Sequence, residues 1–183
     1  MSDVKSIVEN LEQSVLVLGP GIMLDEEGKS IHSGFAERYS KSNKGKIEYY
    51  FVHENLFRPN SPSARMRIRK DFADFYHYEF PIKVDDLYRK MSQIPFPLII
   101  SLNPDNTLSG CFRDLGITNV FDFFIKGKKN KINKVPSIDN PYLFNLLGNY
   151  TEPESLILTY DDLFEYLRNI LHLLTWVPDS WRG

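Results

Sequence analysis

Two short apolar runs, far apart in the chain, each stop abruptly at residues suited to meeting a ligand. The first, Val15-Leu16-Val17-Leu18, ends at Gly19-Pro20-Gly21. The second, Pro97-Leu98-Ile99-Ile100, ends at Ser101-Leu102-Asn103-Pro104-Asp105. Runs so short and so uniformly apolar are predicted to be strands buried on both faces, central in a parallel sheet. A buried strand that stops at Gly-x-Gly lets backbone N–H groups approach phosphate oxygens, because no Cβ stands in the way. A strand that stops at Ser-x-Asn-x-Asp brings an amide and a carboxylate to the same rim. Together they predict a nucleotide site at the C-terminal ends of parallel strands.

The rest of the chain alternates helix and strand signals. Ser2 is placed to cap a helix running to Gln13, with Val4, Ile7, Val8 and Leu11 on one face. A polar turn at Asp25-Glu26-Glu27-Gly28 precedes a helix over 34–39, and 47–52 reads as a short extended piece. Two close prolines, Pro59 and Pro62, predict a loop at 58–62. Helical spacing returns at 64–78, with Met66, Ile68, Phe72, Phe75 and Tyr76 as the apolar stripe. A helix over 84–91 opens with Asp85 and Asp86, and the buried strand spans 96–102. A helix over 107–115 closes at Gly116, and a third strand spans 120–125. A lysine-rich loop at 126–134 follows, then a fourth strand at 141–147 and a fifth at 155–159. Asp161 and Asp162 open a last helix whose stripe takes in Leu163, Phe164, Leu167, Ile170, Leu171 and Leu174. The alternation predicts an α/β fold: one domain over 1–183, with a Rossmann-like, mainly parallel sheet carrying helices on both faces.

Composition narrows the function. At 183 residues and 42% hydrophobic content, one sizeable core is expected. A net charge of −2 gives no whole-chain attraction to nucleic acid or to a membrane surface. No apolar run approaches the roughly 18 residues that span a bilayer. The lone Cys111 excludes an intrachain disulfide and fits a reducing, cytoplasmic setting, and the segment Met1–Lys5 has no signal-peptide pattern. No Walker loop, nucleophile elbow or metal-ligand cluster is visible, so no metal is expected.

Three segments, in order, resemble the SIR2-like (sirtuin-related) family. Gly19-Pro20-Gly21 stands where that family has a Gly-Ala-Gly phosphate loop after its first strand. Ser101-Leu102-Asn103-Pro104-Asp105 matches its Thr-x-Asn-x-Asp. Asn145-Leu146-Leu147-Gly148, then Pro153-Glu154-Ser155-Leu156-Ile157-Leu158-Thr159-Tyr160-Asp161-Asp162, matches Lys-Leu-His-Gly, Pro-Glu-Ser and a closing Thr-x-x-Asp. The likeness covers residues 10–168 and is nearest to the divergent bacterial branch attached to defence and signalling proteins. It implies binding of NAD or a related nucleotide through Gly19, Pro20, Gly21, Ser101, Asn103 and Asp105. It further implies cleavage of the nicotinamide–ribose bond, with Asn103 positioning the water.

Three departures bear on that activity. Leu147 stands where the family carries its general-base histidine, and loss of such a base costs on the order of 10²–10⁴ in rate. Pro20 removes one backbone donor from the phosphate loop. The paired cysteines of the zinc-binding deacetylases are absent. The family fold also continues with a further strand, whereas little follows Leu174 here. Either the adenosine side is incomplete or the chain is part of a larger protein with fused domains.

The expected function is a catalytically degenerate nucleotide-binding module that acts as a sensor or holds a protein partner in a signalling or antiviral assembly. The alternative is an active NAD hydrolase in which another residue serves as base, His32 and His53 being the candidates. An unrelated α/β domain is the third reading. Each motif also has a plain structural reading: Gly19-Pro20-Gly21 as a tight turn, and Asn103 and Asp105 as caps for the following helix. Cys111 reads as a small core residue, and His77 and His172 as packing or surface residues. The Arg65–Lys70 run reads as a solvated helix face, with docking of an acidic partner as its functional option. The lysine loop is not expected to hold nucleic acid. Trp176 and Trp181 read as a terminal clasp or an interface, and self-association is left open.

Overall fold

The computed structural model describes residues 10–24, 28–79, 86–94, 96–125, 128 and 135–174. In chain order the elements are β1 (Val15–Leu18), α1 (Ile31–Ser42), β2 (Ile47–Phe51), β3 (Leu56–Pro59), α2 (Pro62–Asp74), α3 (Asp86–Ser92), β4 (Leu98–Ser101), α4 (Thr107–Asp114), β5 (Val120–Phe123), β6 (Tyr142–Asn145) and α5 (Tyr160–Leu174). Four strands form a wholly parallel sheet in the order β1-β4-β6-β5, flanked by helices, and β2 and β3 form a separate antiparallel hairpin. This α/β arrangement is compatible with a Rossmann-like fold.

The register explains the core. Leu16, Ile99, Leu143 and Phe121 are aligned across the four strands, so their side chains share one face. That face packs into the main apolar cluster with Phe35 of α1, Ile68 and Phe72 of α2, and Leu108 and Phe112 of α4. β1 lies at the sheet edge, not at its centre, and Val15 and Val17 on the opposite face are 49% and 60% exposed. Four apolar residues identify a strand but carry no signal of its neighbours, which long-range pairing alone sets.

Several boundaries also differ from expectation. Pro62 starts α2 instead of prolonging a loop: Ser61 Oγ accepts the Ala64 N–H, and a proline in the first turn has no N–H to waste. Met66 points to solvent, while Ala64, Ile68 and Phe72 form the buried stripe. At Phe75 the helix widens into one π-type turn, Phe75–Glu79. α1 is longer than predicted and starts at the Ser30 cap, whose Oγ accepts the Ser33 N–H.

The fifth strand is not formed. Residues 153–155 make a 3₁₀ turn, and Leu156, Ile157 and Leu158 follow as a buried extended link. Its backbone groups pair singly with Leu147 and Phe57 rather than with one neighbouring strand. In the first predicted helix only the 3₁₀ turn Leu11–Gln13 is described. The rest of that helix, residues 25–27 and 80–85, all of the lysine loop except Lys128, and Trp176 and Trp181 lie outside the described residues. No helix among the described residues is long and apolar enough to cross a membrane.

Candidate functional site

The C-terminal ends of β1, β4 and β6 are neighbours in the sheet, so the loops that leave them share one rim. After β1, Gly19 remains extended and residues 20–22 close a 3₁₀ turn in which the Ile22 N–H reaches the Gly19 carbonyl. That carbonyl also accepts the Asn103 side-chain Nδ2–H at 3.1 Å. The amide of the second motif is thus fastened to the first. Among the described residues, no atom lies within 4 Å of where a Cβ of Gly19 or Gly21 would stand.

The loop after β4 is fixed from within. The Asn103 N–H donates to Ser101 Oγ at 3.1 Å. Asp105 Oδ1 accepts the N–H of Thr107, the first residue of α4, at 2.8 Å, while the N-cap residue Asn106 makes no side-chain cap. Burial raises the Asp105 carboxyl above its ordinary value, against the lowering effect of the hydrogen bonds from Thr107. Ser101, Asn103 and Asp105 are all buried.

β6 contributes a residue that motif reading did not assign to the site. Asn145 is paired in register with Ser101 and fully buried, and its Nδ2–H donates to the Asp105 carbonyl at 2.6 Å. Asn145 Oδ1 has no hydrogen-bond partner among the described residues, and neither does Nδ2 of the equally buried Asn149. The signal was available: Leu98-Ile99-Ile100-Ser101 and Tyr142-Leu143-Phe144-Asn145 both place one polar residue after three apolar ones. Tyr150, which follows Asn149, joins the rim through its N–H to the Pro104 carbonyl. Its ring stacks on that of Tyr76 at 5.9 Å, and a row of rings continues through Phe72 to His32.

His32 is buried in the first turn of α1. Burial lowers its pKa to about 4, a hydrogen bond to the Asn55 backbone acting the other way. The ring is therefore neutral at pH 7, and its Nε2 has no partner among the described residues. His53 and His77 are exposed.

The third segment of the resemblance is held together by its own structural needs. Gly148 has φ +87°, and a Cβ there would collide with the Ser155 carbonyl. Ser155 Oγ accepts the Asn149 N–H at 2.9 Å. Thr159 and Asp162 form a reciprocal capping box, each side chain accepting the other's backbone N–H. Asp162 also receives the Leu158 N–H and ion-pairs with Arg65 and Arg69. Two arginines of the Arg65–Lys70 run are therefore engaged with α5 rather than solvated, and Arg69 adds Glu154 at 2.9 Å. Leu147 accepts the Ile157 N–H through its carbonyl.

A depression beside α4, lined by Asn106, Ser109, Arg113 and Asn119 among others, includes none of Gly19, Ser101, Asn103, Asp105 and Asn145. Cys111 is buried in the core. Among the described residues no group of three or more His, Cys, Asp or Glu side chains is arranged to hold a metal ion. No protein-family profile matches the chain, and no curated protein matches it either.

Proposed function

We propose that this chain is a nucleotide-binding module whose ligand, of the NAD or ADP-ribose type, lies on the rim where β1, β4 and β6 end. One observation carries the reading: the Asn103 amide is fixed to the Gly19 carbonyl beside two glycines that border open space among the described residues. Ligands of open parallel sheets bind outside the carboxyl ends of strands, where a glycine loop permits close approach. The buried, unpartnered amide atoms of Asn145 and Asn149 add polar capacity near the same edge. The module binds without turnover, because Leu147 offers no proton acceptor where the resembled family has its base. By the same resemblance it acts as a sensor or holds a partner in a signalling or defence assembly.

Hydrolysis of the nicotinamide–ribose bond is the second reading. A buried carboxyl with a raised pKa, Asp105, stands two residues from Asn103, and such groups are frequent at catalytic sites. Calorimetry with NAD and ADP-ribose, with nicotinamide release followed on the same sample, separates the two. The expected result is binding without release, and at least about tenfold weaker binding in Asn103→Ala, equivalent to about 1.4 kcal/mol. Release in the parent that Asn103→Ala abolishes establishes the hydrolase. Unchanged binding in Asn103→Ala removes the rim as the site.

A further inference from the structure

α5 turns its apolar stripe outward. Asp162 and Tyr166 face the interior, while Phe164 is 63% and Leu167 is 42% exposed. Tyr160, Phe164 and Leu167 follow four-three spacing, which continues in the sequence at Leu171 and Leu174. Leu163, half-buried, lies beside this row, so the apolar face of α5 is broad and only part of it is covered by the rest of the fold. The patch extends beyond the helix. Phe164 stacks on Tyr160, Tyr160 meets Phe51 edge to face at 4.7 Å, and Phe51 meets the exposed Tyr49 at 4.8 Å. One continuous aromatic row therefore crosses from the β2–β3 hairpin onto α5, and contiguous exposed apolar surface of this kind marks an interface.

The charges beside the stripe identify the occupant. Asp161 and Arg168 lie seven residues apart, hence on the same flank of the stripe, and both are exposed. Neither makes an ion pair within 4 Å among the described residues, although Asp161 acts on Arg65 through space. Two copies of α5 packed antiparallel about a two-fold axis bring each Asp161 toward the partner's Arg168. Such an interface is self-complementary, as two-fold contacts must be. The same arrangement lays the C-terminal half of the partner helix along Tyr160, Phe51 and Tyr49.

We infer that the chain forms a two-fold dimer through this surface, with α5 antiparallel to its copy and the hairpin rings flanking the seam. The inference is independent of what the strand-end rim binds.

Sedimentation velocity on the full chain tests it. The expected result is a species of twice 21.4 kDa at micromolar concentration. Phe164→Glu combined with Leu167→Glu should give a monomer with an unchanged circular dichroism spectrum, since both side chains lie at the surface. Arg168→Asp alone should weaken the dimer about tenfold by placing like charges together. Adding Asp161→Arg to it should restore the parent affinity. A parent that is monomeric at all concentrations overturns the inference. So does a dimer that survives Phe164→Glu with Leu167→Glu, or a double charge reversal that fails to restore association.

Discussion

The strand-end rim and the segment that closes the domain, residues 148–162, use the same kinds of small polar residue in opposite ways. Along the closing segment these residues are absorbed by the fold, apart from Asn149 at its start, whose Nδ2 has no partner among the described residues. Gly148 makes room for the Ser155 carbonyl, Ser155 ties back to Asn149, and Thr159 and Asp162 cap α5 while Asp162 holds two arginines. At the rim the accounting stays open: among the described residues Asn145 Oδ1 lacks a partner, and Gly19 and Gly21 border free space. Polar residues that look alike in sequence thus divide into those that finish a fold and those left available for a ligand. The Pro-Glu-Ser and Thr-x-x-Asp motifs belong to the first kind, so the functional argument rests on the first two segments.

If the closing segment is structural, its substitutions must act on stability. Asp162→Ala leaves Arg65 and Arg69 without their shared carboxylate and removes half the capping box. Breaking an interior pair this way costs about 3–5 kcal/mol. Urea unfolding should show that loss, and a change below about 1 kcal/mol breaks the comparison. Gly148→Ala combines a positive φ with a backbone collision and should cost about 3 kcal/mol by the same measurement.

His32 sharpens the comparison from the interior behind the rim. Its folded pKa of about 4 lies below the ordinary 6.5, so the unfolded chain takes up the proton first. The stability contributed by the neutral ring is complete above pH 6.5 and is lost as the pH falls toward 4. The loss is about 3 kcal/mol at most, at 1.36 kcal/mol per pH unit. The raised Asp105 carboxyl works in the opposite sense, its contribution declining as the pH rises above the ordinary carboxylate range. Stability profiles of the parent and His32→Gln isolate the histidine: the variant should lack the acid-side loss, and parallel profiles refute it. The smallest effect belongs to Thr159→Ala, which removes one hydroxyl from the capping box and should cost about 1 kcal/mol.

Much of the rim was legible in the sequence because its signals are local. An apolar run followed by Gly-x-Gly, or by Ser-x-Asn-x-Asp, announces a strand end wherever it occurs. Asn145 went unassigned because its importance lies in its register with Ser101, and register is a relation between strands. The fifth strand was misread for a related reason. Leu156, Ile157 and Leu158 have the residues of a strand, but their backbone groups are met singly by Leu147 and Phe57, so no ladder forms.

The sequence by itself determined the local vocabulary of this protein: the alternation of helix and strand, the break at Gly148 and the polar ends of β4 and β6. These follow from steric limits and hydrogen-bonding needs of residues close along the chain. Tertiary structure alone decided that β1 lies at an edge, that Arg65 and Arg69 converge on Asp162, and that α5 shows Phe164 and Leu167 to solvent. Periodicity identifies an apolar stripe and its helix. What that stripe faces depends on which surfaces the rest of the chain has already covered, and that is settled only when distant segments pack.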